Sequence, residues 1–286
     1  MSKRFSEAAM ITDLSIGHWT ARKHDKAVDQ EVAAMKQTTE KAGRYNKNLF
    51  PFEAPSYQAL TSSVTQARLV HREQTLPWTD DGARILLSAN HFNYTNLMRE
   101  RRRAVEAAWR EFKQDLPNLK EQSRQITNGL FNEADWPDPI KLEKTFRFKI
   151  EIFPFPDSAD FRADISELEL KAVTEQIEDS IKTKIETAML EPYRRLFEAV
   201  KHMVDRLNSD SENIHDSVVE NIRKQCALIP ALNLTNDEAL DDLGCAIEVG
   251  LTRFTSDQLS VKGHLRTTVA ARAEEIASEL ESRIAA

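Results

Sequence analysis

ELELKAVTEQIEDSIKTKIETAMLEPYRRLFEAVKHMVDRLN, residues 167–208, decides the fold class. Apolar side chains recur at Leu170, Val173, Ile177, Ile181, Ile185, Met189, Tyr193, Leu196, Val200, Val204 and Leu207, in steps of three or four without a break. That spacing keeps one face of a helix apolar through many turns, which an extended chain cannot do. The stretch predicts a spine helix about 60 Å long at 1.5 Å per residue. Pro192 removes one hydrogen bond without disturbing the stripe, so a kink or two abutting helices is expected there.

Working outward toward the C-terminus, three more helices are expected, near residues 213–228, 237–252 and 263–284. LIPALNLT (228–235) and FTSDQLSV (254–261) read as their connectors. Working toward the N-terminus, residues 132–166 hold four of the ten prolines. Within them Phe146, Phe148, Ile150 and Ile152 alternate with Arg147, Lys149 and Glu151, the period-two pattern of a one-sided strand. Phe161–Ile165 is the expected antiparallel partner, and the PFP at 154–156 caps one end. Helices are expected over 24–42 (stopped by Gly43), over 56–74, and from Asn93 through Phe112. Pro117 either breaks that last helix or opens the next, which runs to Gly129. Short extended pieces fit 10–20 and 85–87, the second after a turn at Asp81-Gly82. The expected fold is mainly α, a helical bundle around the spine helix with a small antiparallel β ribbon inserted near the middle. It divides into a helical part at 1–131, the proline-rich ribbon at 132–166 and a helical part at 167–286, as one continuous domain.

Composition narrows the function classes. Seven glycines in 286 residues argue against turn-rich sandwiches and against phosphate-binding glycine loops, and neither GxxxxGK[ST] nor GxGxxG occurs. No apolar stretch approaches 18 residues, and the N-terminus lacks the apolar run of a signal peptide, so a cytoplasmic chain with no membrane span is expected. Cys226 and Cys245 form no CxxC pair and read as two buried thiols in a reducing compartment. The seven histidines show neither HxxxH nor HExxH spacing, so no metal site is expected, and no serine or cysteine sits in a nucleophile motif. No cofactor is implied.

Three surface patterns remain. Asp157, Glu169 and Lys171 imitate the PD…ExK metal site of many nucleases. That chemistry wants the second carboxylate and the lysine on one strand, whereas here they open a helix, where positions i and i+2 diverge. Arg99, Arg101, Arg102 and Arg103 form the densest basic cluster, a candidate contact for nucleic acid or a partner. On a helix they spread around most of the circumference instead of making one flat face. Trp109 and Phe112 nearby read as core-facing, not as base-stacking platforms. Finally, residues 1–127 carry net +5 and residues 128–286 carry net −12. That polarity favours head-to-tail self-association into a homo-oligomer, with Phe153 and Phe155 on the ribbon as candidate apolar contacts.

Several segments together resemble a bacterial and phage family, domain of unknown function 3150. They are ITDLSIGHWTARK and AGRYNKNLF near the start, LPWTDDGARILL, DWPDPIKLEKTFRF leading into FPFPDSADFRADI, then LIPALNLTND and HLRTTVAARAEEI. Their order and spacing carry the resemblance over nearly the whole chain. It implies no enzymatic activity and no catalytic residues. It implies a phage or mobile-element setting beside a MoxR/CobS-like AAA+ ATPase and a CobT-like von Willebrand factor A domain protein, with recombination genes sometimes nearby. The expected role is therefore a non-catalytic, self-assembling partner of such an ATPase. The alternatives are a DNA-binding accessory in recombination or replication, and the metal-dependent nuclease.

Overall fold

The computed structural model describes residues 2–51, 53–80, 82–158, 165–209 and 213–285, with side chains from Phe5 onward. The fold is mainly α, with a long central helix and a small antiparallel sheet. In chain order the elements are α1 (Ser2–Ala8), β1 (Ala9–Gly17), β2 (Arg22–His24), α2 (Lys26–Met35), β3 (Asn46–Asn48), α3 (Pro55–Glu73), β4 (Leu76–Pro77), β5 (Arg84–Leu87), α4 (His91–Thr127), α5 (Pro139–Thr145) and β6 (Arg147–Pro154). Then come α6 (Glu167–Asn208), α7 (Asp216–Leu232), α8 (Glu238–Ile247), α9 (Ser256–Ser260) and α10 (His264–Ala285).

The spine helix forms as expected, with Ser166 and Glu169 closing a reciprocal capping box at its first turn and Pro192 inside it. Its buried face begins at Ile181. Leu170, Val173 and Ile177 are half-buried, and Leu168 is 81% exposed. Pro117 does not break α4, which runs 37 residues through it, because a proline forfeits one backbone bond while the neighbouring turns keep theirs. LIPALNLT is mostly helix: α7 continues through Pro230 to Leu232. FTSDQLSV also contains a helix, α9, opened by a capping box between Thr255 and Gln258. The 24–42 helix stops earlier, at Met35, where Gln37 turns left-handed at φ 51° ahead of a 3-10 turn at Glu40–Ala42.

The expected ribbon is instead part of a sheet with strand order β4-β5-β1-β6. Ala9 lies opposite Leu87 and Ile11 opposite Ile85 between β1 and β5, and Leu76 lies opposite Ile85 between β4 and β5. The short extended pieces near the N-terminus are therefore the sheet's other strands. Of the expected partner Phe161–Ile165, all but the last residue lies outside the described residues. Gly82 takes φ +108° in the β4–β5 turn, a conformation an L side chain rarely adopts. Asp81 lies outside the described residues. A separate two-stranded sheet pairs β2 with β3.

By internal contacts the chain divides into two compact units. Unit 1 is Met1–Asp13, His71–Thr95 and Glu151–Ala286, and unit 2 is Leu14–Val70 and Asn96–Ile150. In unit 1, α6 packs on α7 and α10 around Ile185, Leu196, Met203, Ile222, Leu240 and Leu280, all buried. Each such side chain removed from water contributes about 1.5–3 kcal/mol. The α7–α8 approach is close at Gly244, where an added Cβ would stand 2.4 Å from Cδ1 of Ile229. In unit 2 the core is aromatic. Trp19, Phe50, Tyr57, Phe112 and Trp136 meet with ring centroids 5.1–6.3 Å apart. Trp109 (2% exposed) and Phe112 (0%) face inward, as their spacing implied, and Trp109 stacks on Phe146 at 5.1 Å.

Candidate interaction surfaces

The polar groups inside each unit show which side chains are committed to holding the fold. In unit 2, Lys47 is buried and reaches Asp25 at 2.6 Å, Asp135 at 2.8 Å and the Leu130 carbonyl at 2.9 Å. Burial alone would lower its ammonium. The carboxylates of Asp135 and Asp25 outweigh that and hold it above the ordinary lysine value. Asp25 also caps α2 by accepting from Ala27 and Val28. The triad thus ties three separated segments into one core. Trp19 comes from GHWTARK, Lys47 and Phe50 from NKNLF, and Asp135 and Trp136 from DWPD, three segments widely separated in the chain, while Asp25, Tyr57 and Phe112 lie outside them. Those segments are joined here by packing and ion pairing.

Unit 1 uses arginines at helix ends. The last carbonyls of a helix have no internal partner and carry its negative dipole, so a guanidinium there is doubly favoured. At the end of α3, Arg84 donates to Thr75 Oγ1 (2.7 Å) and to the carbonyls of Thr75 (2.9 Å) and Arg72 (3.3 Å). Arg195 from α6 reaches the carbonyls of Arg72 (2.9 Å), Glu73 (3.0 Å) and Thr75 (3.3 Å). Arg266 from α10 does the same at the end of α6, on Leu207 (2.7 Å), Arg206 (3.0 Å) and Ser209 (2.9 Å). Beside α3, buried His71 shares a 2.8 Å hydrogen bond between Nδ1 and the Tyr94 hydroxyl, which lies 3.4 Å from Thr12 Oγ1. Its Nε2 is buried without a partner among the described residues. Burial, with Arg84 and Arg72 near, lowers the imidazole to about 4, and burial raises the Tyr94 phenol to about 12.

The basic cluster on α4 is divided, not concentrated. Arg99 bonds Asn96 at 3.3 Å. Arg101 is half-buried, with its Nε unpartnered among the described residues. Arg102 donates to the Phe148 carbonyl at 2.6 Å, its guanidinium 5.1 Å from that residue's ring, and Arg103 is exposed. Further along α4, Lys113 pairs with Glu143 at 2.6 Å, Arg124 with Glu133 at 2.7 Å, and Lys120 with the same Glu133. Lys113, Lys120 and Arg124 are thus each paired with a carboxylate, and Arg102 with a backbone carbonyl.

The nuclease-like residues each hold a different partner. Asp157 accepts from Ser6 (3.3 Å), Glu169 folds back on Ser166 (2.7 Å), and Lys171 turns to Glu175 (3.9 Å). Among the described residues, no group of three His, Cys, Asp or Glu side chains could hold a metal ion. Cys226 is buried, and burial pushes its thiol up to about 12. Cys245, expected to be buried, is exposed, because the inward face of α8 consists of Leu240, Leu243, Gly244 and Ile247 and position 245 falls off it.

The edge of the sheet is the remaining surface. Among the described residues β6 is the last strand of the sheet, with Ile152 47% and Phe153 48% exposed. Phe155, read from the sequence as a surface contact, is 3% exposed and packs on Trp78 with ring centroids 5.1 Å apart. It lies past the strand, where period-two alternation no longer fixes its side. No helix among the described residues is long and apolar enough to cross a membrane. No family model matches the chain, and neither a curated protein nor a solved structure matches it.

Proposed function

We propose that this chain is a non-catalytic assembly protein of a phage or mobile element, which self-associates and serves as partner to a MoxR/CobS-like AAA+ ATPase and a von Willebrand factor A domain protein. The partner identities rest on the family resemblance. The observation that carries the contact role is charge. Unit 2 holds 20 Lys/Arg against 14 Asp/Glu, net +6, and unit 1 holds 19 against 32, net −13. Fields of opposite sign orient partners and speed their encounter, while exposed apolar side chains supply most of the affinity. The non-catalytic reading is supported by the engaged titratable groups: buried Lys47 and Arg266 and half-buried Arg84 hold backbone or carboxylates in place, and buried His71 is hydrogen-bonded to Tyr94.

Co-expression with a MoxR/CobS-like ATPase and a CobT-like von Willebrand factor A domain protein tests the proposal. Co-purification that depends on the bound nucleotide is the expected result. Failure to co-purify in any nucleotide state, together with a DNA mobility shift at low salt that vanishes at moderate salt, would establish the DNA-binding reading instead. Cleavage of labelled DNA with Mg²⁺, abolished by Asp157→Ala, would establish the nuclease.

A further inference from the structure

The chain carries a basic groove and an acidic turn with an apolar tip, and we infer that the turn of one copy seats in the groove of the next, joining copies head to tail. The inference rests on self-association as part of the proposed function and names its two surfaces. The ATPase partnership stands or falls separately.

The groove lies within unit 2, between the second half of α2 and the chain from Thr38 to Tyr45, and holds about 390 Å³. Val32, Ala33, Ala42 and Tyr45 give it apolar walls. Lys36 and Arg44 line it too, and their side chains make no hydrogen bond or ion pair among the described residues. The Asp29 carboxylate is already held by His24 and by the Tyr45 amide, which leaves Glu40 as the one unengaged acid of the lining. Val32 and Met35, a turn apart on α2, are 48% and 79% exposed, and Ala33 is the one residue this helix buries. Apolar patches rimmed by polar groups mark interaction sites.

Such a groove suits an apolar side chain in an acidic frame, and unit 1 supplies one. There α8 runs on into a π-helical turn, Glu248–Thr252, a rare geometry that recurs at functional sites. The turn keeps Leu251 and Thr252 buried and leaves Val249 67% exposed. Glu238, Asp242, Cys245 and Val249 follow in steps of four, three and four, which keeps them along one side of the helix, with Glu248 next to the tip. Glu238, Asp242 and Glu248 are exposed and form no ion pair among the described residues. The nearest cations in sequence are turned elsewhere: Arg253 lies over Phe254 at 4.7 Å, and Arg272 pairs with Glu275 at 2.8 Å. Seating Val249 against Val32, Ala42 and Tyr45 of a second copy removes apolar surface from water on both sides and brings Asp242 and Glu248 toward Lys36 and Arg44. Unlike charges orient the contact, and the apolar side chains supply most of its affinity. The two surfaces differ, so the contact is heterologous and continues into a ring or a filament.

Sedimentation velocity on the full chain tests this. The wild type is expected to form species larger than a dimer at tens of micromolar and low salt, and to fall toward the monomer as salt screens the charges. Lys36→Glu combined with Arg44→Glu reverses the groove, and Val249→Ser removes the apolar tip. Each of these two variants alone is expected to raise the dissociation constant roughly tenfold or more. Mixed in equal amounts, they are expected to give a one-to-one dimer and nothing larger, because each keeps one wild-type surface. That capped dimer also excludes misfolding as the cause of the losses. Independently, a Val32→Cys chain mixed with a Val249→Cys chain, both in a Cys245→Ser background, is expected to oxidise to a covalent heterodimer, since seated side chains lie within disulfide reach. A wild type that is strictly monomeric at about 100 micromolar overturns the inference together with self-association. An assembly indifferent to both variants, or a mixture without the capped dimer, overturns the inference and leaves self-association to another surface. Loss of ATPase co-purification in the groove variant, with assembly unchanged, assigns the groove to that partner and likewise overturns it.

Discussion

His71 illustrates how burial ties a titratable residue to the stability of the fold. Its imidazole is held near 4, chiefly by burial, while in the unfolded chain it takes up a proton near 6.5. Between those values the unfolded state binds more protons than the folded one, so stability rises with pH across that window. Its contribution is complete above about 6.5, declines as pH falls, and levels off below about 4, for a total of roughly 3 kcal/mol. Urea midpoints measured from pH 7 to pH 4 are expected to fall accordingly. His71→Gln, which keeps an acceptor for the Tyr94 hydroxyl, is expected to flatten that fall. Asp25 and Asp29, whose carboxyls are held below the ordinary aspartate range by Lys47 and by the Tyr45 amide respectively, lose their contribution only at lower pH. An unchanged slope in the variant would assign the pH dependence to other groups.

Among the elements, those stabilised by their own periodicity were legible in the sequence and those stabilised by distant partners were not. The bounds of α6 follow from its unbroken stripe and from Ser166 with Glu169 at its start. The strand at 147–154 was legible by alternation, but its neighbour β1 lies more than 130 residues earlier, and no local pattern encodes such a pairing. Lys47 was invisible for the same reason, since Asp135 stands 88 positions away. The arginines at the ends of α3 and α6 look like ordinary surface charge in sequence. Arg195→Ala is nevertheless expected to cost about 2–4 kcal/mol in chemical denaturation, because three carbonyls lose a charged donor at a helix C-terminus. Arg195→Lys should restore less than half, as a single ammonium lacks the planar fork. A second expectation concerns the start of α6, where residues 167–180 contain no buried side chain. Amide hydrogen exchange there is expected to be much faster than over 181–207, and equal protection along the helix would mean that something covers those turns.

At the scale of the whole molecule, the aromatic unit and the helical unit follow different recipes from one composition. Thirteen phenylalanines, four tyrosines and four tryptophans are shared by the chain. Unit 2 brings Trp19, Phe50, Tyr57, Phe112 and Trp136 together, and unit 1 relies on aliphatic helix faces such as those at Ile185, Val200 and Leu240. The charge split by unit, +6 and −13, is sharper in proportion than the split by sequence halves, because unit 2 takes most of α4 and leaves the acidic helices to unit 1.

The way the units share the chain also sets an order of events during synthesis. Unit 2 is complete once Ile150 has been made, whereas nearly all the helices of unit 1 are still to come. A ribosome releasing the chain from its N-terminus therefore delivers the whole aromatic core while α6 to α10 do not yet exist. The segments at 1–13 and 71–95 must wait, with the apolar residues Ile11, Leu76 and Ile85 lacking the helices that will cover them. Nascent chains stalled after about 190 residues, long enough to bring residue 150 out of the exit tunnel, are expected to resist protease over 14–70 and 96–150 and to be cut within 71–95. Uniform sensitivity at that length would mean that the first core waits for the second. If the expected order holds, the acidic unit of this protein begins to fold only after the basic unit is complete.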